Sequence, residues 1–256
     1  MQLQIKKVGE RPIQINAIVF GNPGSGKTVL AGTASDVPEM SPVLFADIDK
    51  GLDSLDDRPD IDCIEIDRGS PTSSMKALHR YLTAGEGKGR YKTIVIDSLS
   101  EWLEVELGRA AAEQGRDSNE VQDYNPVYQR VTRAIQMFCD APGLNVIALA
   151  HTRLERGRVD TRKQSALEAP ILAAFPKVGS FNNANKLMGA FDAVWLMTIA
   201  KDGHTRVLHP HQSGVIMAKT RGMKVSKLMG TEPLPNPTFS MIYNFYKQAR
   251  KENKGQ

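Results

Sequence analysis

The chain has 256 residues, 41% of them hydrophobic and 24% charged, which fits one large α/β domain able to bury its core without disulfides or a structural metal. A formal charge of +4 and a pI near 9.0 permit a polyanionic partner without requiring one. Two cysteines, Cys63 and Cys139, exclude a disulfide scaffold and a zinc motif, and are expected as buried thiols in a reducing compartment.

The N-terminus, Met1-Gln2-Leu3-Gln4-Ile5-Lys6-Lys7, has no apolar signal core. No later stretch approaches the roughly 18 uninterrupted apolar residues of a membrane span, so a soluble intracellular protein with no membrane partner is expected. Residues 15–20 form an apolar run predicted as a strand, which leads into Gly21-Asn22-Pro23-Gly24-Ser25-Gly26-Lys27-Thr28 and a predicted helix over residues 27–34. That arrangement is a P-loop: closely spaced glycines let backbone N–H groups wrap a phosphate at the start of a helix. Gly21, Asn22, Pro23, Gly24, Ser25, Gly26, Lys27 and Thr28 are the candidate nucleotide-binding residues for ATP. Lys27 reaches the β- and γ-phosphates, and the Thr28 hydroxyl ligates Mg²⁺.

A second apolar run, residues 43–46, ends in Asp47-Ile48-Asp49-Lys50-Gly51-Leu52-Asp53, which is either a solvated acidic turn or the source of a general base. After a predicted helix over residues 73–82, the apolar residues 93–96 end in Asp97, the Walker B pattern, in which the carboxylate binds Mg²⁺ through water. Helices are predicted over residues 100–114 and 126–139, the latter carrying Val127, Val131, Ile135 and Phe138 at helical spacing. Residues 146–150 form a fourth apolar run, followed by His151. Strands alternating with helices imply a mostly parallel sheet.

Residues 193–199, 206–208, 215–218 and 239–243 read as strands with short connections, extending the sheet with antiparallel pairs in the C-terminal half. Two long stretches, 115–125 and 153–185, have no predicted element, and loops of that length are commonly functional. The second carries Arg153, Arg156, Arg158, Arg162 and Lys163, five cations suited to nucleic-acid phosphates, diluted by Glu155 and Asp160. Phe175 and Phe181, with Lys177 between them, either stack on bases or pack in the core. A single domain over residues 1–247 and a flexible basic tail over 248–256 are expected.

Taken in this order, the motifs resemble the RecA family. The resemblance rests on the P-loop, on Phe45-Ala46-Asp47-Ile48-Asp49, on Asp97-Ser98-Leu99, on the strand ending in His151, and on Val215-Ile216-Met217-Ala218-Lys219-Thr220-Arg221. It implies a RecA-like P-loop NTPase core, with a mostly parallel twisted sheet flanked by helices. By the same resemblance Asp49 is the catalytic carboxylate, an Asp where the family has Glu. His151 becomes the γ-phosphate sensor where RecA has Gln, and Lys219 and Arg221 act in trans on a neighbour's ATP. With no helical N-terminal domain and no large C-terminal one, the chain looks like the core-only RecA-like recombinases and annealing proteins of bacteriophages.

That subgroup implies an ATPase that binds single-stranded DNA through Arg153, Arg156, Arg158, Arg162 and Lys163. It would self-assemble as a ring or filament and support annealing or strand exchange. A single-stranded-DNA-binding protein is a further candidate partner, and the host cytoplasm is the expected location if the chain is phage-encoded. Two other readings stay open: a small-molecule nucleotide kinase whose lid is residues 153–163, and a nucleotide-gated packaging or replication accessory.

Overall fold

The computed structural model describes residues 11–157 and 169–254. Arg158, Arg162 and Lys163 lie outside them. The first half alternates strand and helix: β1 (Asn16–Gly21), α1 (Lys27–Gly32), β2 (Val43–Asp47), β3 (Ile61–Glu65), α2 (Pro71–Ala84), β4 (Thr93–Asp97), α3 (Leu99–Ala112), α4 (Val121–Cys139) and β5 (Asn145–Ala150). The second half adds β6 (Thr152–Arg156), β7 (Ile171–Pro176), α5 (Phe181–Ala190), β8 (Ala193–Ile199), β9 (Arg206–His209), β10 (Lys219–Thr220), α6 (Met223–Met229), β11 (Leu234–Pro235) and α7 (Phe239–Lys254).

Among the described residues, nine strands form one sheet in the order β11-β9-β8-β1-β5-β4-β2-β3, with β10 also on β8, while β6 and β7 form a separate hairpin. The six strands from β8 to β3 are parallel, and β9, β10 and β11 are antiparallel. This is the α/β architecture expected, including its antiparallel extension.

The burial pattern explains why β1, β2, β4 and β5 read as unbroken apolar runs: every residue of all four is buried. Their side chains alternate between two cores. Ile18, Phe20, Leu44, Ile94, Val146 and Ala148 pack under α2, α3, α4 and α5. Ala17, Val19, Phe45, Val95, Ile147 and Trp195 pack under α1, α6 and α7.

Several sequence expectations change. Residues 239–243 are helix, not strand, because Phe239, Ile242, Tyr243 and Ala249 are buried at helical spacing against the second core. Residues 215–218 make only isolated bridges, with Ile216 opposite Ala174 and Ser213, before β10 begins. The polar stretch 115–125 contains the start of α4, held by a capping box between Glu120 and Asp123. The stretch 153–185 contains the β6–β7 hairpin and the start of α5. Helix α7 runs through Lys254 and takes in most of the expected tail. Cys63 is exposed on edge strand β3, contrary to the expected burial, while Cys139 is half-buried with its thiol pushed up to about 12 by burial.

One buried charge ties the helical layer together. Glu106 of α3 is fully buried; it accepts from the Thr72 backbone N–H at 2.9 Å, from Arg109 at 3.2 Å and from Arg130 at 3.3 Å. Glu106→Gln keeps the shape but removes the charge facing two guanidinium groups. It is expected to cost about 2 kcal/mol of stability, read as a lower midpoint in urea unfolding at unchanged slope.

Candidate active site

Strands β1, β5, β4 and β2 lie side by side and point the same way, so their C-terminal ends open at one edge of the sheet. Loops at that edge receive the backbone amides and side chains that a ligand needs. The P-loop follows β1 directly. Gly21 must be glycine, since a Cβ there would meet the Met197 carbonyl oxygen and the Ser25 hydroxyl, both at 2.5 Å. Gly26 has φ 89, a left-handed conformation that lets the chain turn into α1. Asn22, Pro23 and Gly24 form the exposed tip, while Ser25 and Lys27 are buried.

The Lys27 ammonium donates to the carbonyls of Gly21 and Asn22, both at 3.1 Å, which holds it inside the curl of the loop. Burial lowers its pKa, opposed by the nearby carboxylates of Asp97 and Asp49. The Thr28 hydroxyl donates to Asp97 Oδ2 at 2.9 Å. Burial pushes the Asp97 carboxyl up to about 6; the Thr28 hydrogen bond opposes this and the Asp49 charge adds to it. Two hard oxygen donors in contact beside a phosphate loop fit a magnesium ion that takes its remaining ligands from phosphates and water. Among the described residues, no cluster of three or more His, Cys, Asp or Glu could itself hold a metal.

Asp49 is fixed by its backbone. The Asp97 carbonyl accepts from Ile48 N at 2.7 Å and from Asp49 N at 3.1 Å, which brings the loop after β2 against the end of β4. Asp47 turns back on its own loop, accepting from Lys50 N at 2.7 Å. Because β5 lies between β1 and β4, His151 emerges between the P-loop and Asp97, with Nε2 3.9 Å from Asp49 Oδ2. Burial lowers the His151 pKa and the Lys27 charge adds to the effect. Lys27, Thr28, Asp49, Asp97 and His151 therefore share one corner of the molecule.

From that corner hydrogen bonds lead to the β6–β7 hairpin. The His151 carbonyl accepts from Lys177 N at 2.7 Å, and Ser100 Oγ accepts from His151 N and donates to the Lys177 carbonyl, both at 2.9 Å. Lys177 also pairs with Glu104 of α3. Ser100 had no signal in the sequence, and Lys177 stood out only as a cation between two phenylalanines, because the role of both depends on the close of β7 against the start of α3. On the hairpin, Arg153 donates to the Gly179 carbonyl at 2.9 Å and Arg156 to the Ala169 carbonyl at 3.0 Å. Phe175 is fully buried and meets Phe181 edge-on with ring centroids 5.4 Å apart, so this pair packs in the core and Phe175 presents no face to bases.

Lys219 and Arg221 are not at this site. β10 pairs with the beginning of β8, Thr220 opposite Ala193, whereas Gly21 lies opposite Met197. Four strand residues, about 13 Å, separate the two levels. Arg221 instead pairs with Asp192 at 2.8 Å and donates to the Gly189 carbonyl at 3.2 Å.

A cleft of about 740 Å³ runs beside the P-loop, bounded by Gly26, Lys27, Thr28, Arg206, Asn236 and Thr238 among others. Its volume suits a nucleotide-sized ligand.

Residues 13–222 match a family described as AAA domain. Among solved structures, the chain is similar to a KaiC-like protein from the hyperthermophilic archaeon Pyrococcus horikoshii OT3, at 11% identity over 88% of this chain and 86% of the other, TM-score 0.46. It is also similar to the RadB recombinase, at 15% identity over 76% and 79%, TM-score 0.45. A third similar structure is an ATPase from the type III secretion system of pathogenic bacteria, at 10% identity over 74% and 53%, TM-score 0.49. At such identities no residue role passes from them to this chain. No curated protein matches it.

Proposed function

The chain belongs to the AAA domain family and is a P-loop ATPase, and on that premise we propose that it is a single-stranded-DNA-binding recombination protein of phage type, which hydrolyses ATP at protomer interfaces to support annealing or strand exchange. The observation that carries this reading is the hydrogen-bonded path from the phosphate corner, through His151 and Ser100, to the basic β6–β7 hairpin. Such a path lets the state of the nucleotide bias the position of a nucleic-acid-binding element.

In this reading the P-loop amides and Lys27 hold the phosphates of ATP, and Asp49 orients the attacking water and takes up its proton. Water adds to the γ-phosphorus as the bond to the β-phosphate oxygen breaks, leaving ADP and phosphate. His151 senses the γ-phosphate. Mg²⁺, held by Thr28 and through water by Asp97, supplies neutralising charge to the phosphates when bound.

The remoteness of Lys219 and Arg221 from their own P-loop is what action on a neighbour's nucleotide requires. Arg221 would have to leave Asp192, and an exposed ion pair of this kind holds it by no more than about 1 kcal/mol. No described helix is long and apolar enough to cross a membrane.

The test is ATP turnover with and without single-stranded DNA, for the wild type and for Arg221→Ala. DNA is expected to raise the wild-type rate, and the variant to lose at least about a hundredfold of the stimulated rate while still binding nucleotide. A DNA-independent rate together with a fully active Arg221→Ala monomer overturns the proposal. Phosphate transfer to a nucleoside monophosphate would favour the kinase reading instead.

A further inference from the structure

We infer that Arg206 is a nucleotide-binding residue acting within its own protomer, closing over the P-loop to hold the phosphates that ADP and ATP have in common. The inference rests on the P-loop being a nucleotide site and adds a ligand to it that no motif announces.

Arg206 begins β9, opposite Ile199 of β8. Its backbone is clamped on the far side by Asn236, which accepts from Arg206 N at 3.1 Å and donates to the Arg206 carbonyl at 2.6 Å. Asn236 is itself in the left-handed region, with φ 42, so the clamp is a built turn. From this fixed base the side chain lies along the P-loop. Its Cγ and Cδ stand 3.4 Å, and its Nε 3.5 Å, from where a Cβ on Gly26 would be.

The head group has no visible reason to be there. Nη1 is enclosed yet has no hydrogen-bond partner. Among the described residues no carboxylate pairs with it, although Arg58, Arg109, Arg116, Arg130 and Arg221 each pair with one. A guanidinium cannot shed its proton, so an enclosed N–H without an acceptor is costly. Phosphate oxygens match the planar fork of donors and supply the missing charge.

The lining of the cleft beside the P-loop bears on which step Arg206 serves. Lys27 and Arg206 are its two cationic lining residues, and Asp49, Asp97 and His151 do not line it. Arg206 thus shares this cleft with Lys27 and Thr28, while the groups assigned to the attacking water and the γ-phosphate lie outside its lining. That predicts an effect on binding, shared by di- and triphosphate, and little effect on the chemical step.

The experiment titrates fluorescent ADP and a fluorescent non-hydrolysable ATP analogue into the wild type, Arg206→Gln, Arg206→Lys and Lys27→Ala, and measures turnover at saturating ATP. Arg206→Gln is expected to weaken both nucleotides alike, by about 10- to 100-fold, with kcat within about threefold of wild type. Arg206→Lys, which keeps the charge but not the fork, should weaken both by a smaller factor. Unfolding temperatures without nucleotide should stay near wild type, and the rise induced by ADP should shrink in Arg206→Gln. Wild-type affinity in both arginine variants, or a loss of kcat with affinity intact, overturns the inference. If Arg206→Gln does not fold, Arg206→Lys decides alone. A wild type that binds neither nucleotide, or a Lys27→Ala variant that binds both as tightly, overturns the site reading as well.

Discussion

Lys27→Ala is expected to lower ATP turnover by at least about a thousandfold, equivalent to about 4 kcal/mol of transition-state stabilisation. The size follows from position. Lys27 is 8% exposed as a residue and its ammonium is fastened to two carbonyls of the loop, so its charge acts from inside the phosphate curl, where water screens it little. Deleting it leaves the phosphates facing Asp97 and Asp49 with their main counter-charge gone. Lys27→Arg should also fail, because a planar fork cannot occupy a space shaped for a compact ammonium. A phosphate-release assay reads the loss, and residual turnover within tenfold of wild type would contradict the role.

Asp49→Asn should separate chemistry from binding. Turnover is expected to fall at least about a hundredfold, the lower end of what a positioned general base supplies, with nucleotide affinity within about threefold. Damage to the metal pair would not explain such a result. The Asp49 charge pushes the Asp97 carboxyl up, so removing it lets Asp97 ionise more readily. Asp49→Glu extends the carboxylate by one methylene toward the phosphate corner and should hydrolyse at least as fast as wild type. Single-turnover measurements beside equilibrium binding distinguish these outcomes; equal losses in affinity and rate for Asp49→Asn would assign the residue to binding.

Much of the fold was legible because its central strands are buried on both faces. β1, β2, β4 and β5 have no solvent side, so they stand out as apolar runs bounded by polar loops. Edge strand β3 did not stand out: Ile61-Asp62-Cys63-Ile64-Glu65 is largely exposed and has no apolar run. In α7 the opening Phe-Ser-Met-Ile-Tyr has strand-like composition, and the helical period appears only when the window reaches Ala249. At the site, Gly21 to Thr28, Asp49 and Asp97 were readable because each lies within a few residues of a strand end. The approach of His151 to Asp49 was not, since it depends on β5 lying between β1 and β4. Arg206 reaches Gly26 only because a hairpin folds back across the sheet.

The strand order also dictates when the phosphate loop can take its final shape during synthesis. β1 emerges first, but its two neighbours are β5 and β8. The wall behind α1 is closed later still, when Phe239 N of α7 donates to Thr33 Oγ1 at 2.8 Å. On a translating ribosome the P-loop sequence is therefore made well before the elements that pack around it. Until β5, β8 and α7 have left the exit tunnel, the nascent chain carries the P-loop sequence without all of the structure that packs around it, and such long-range pairings slow folding.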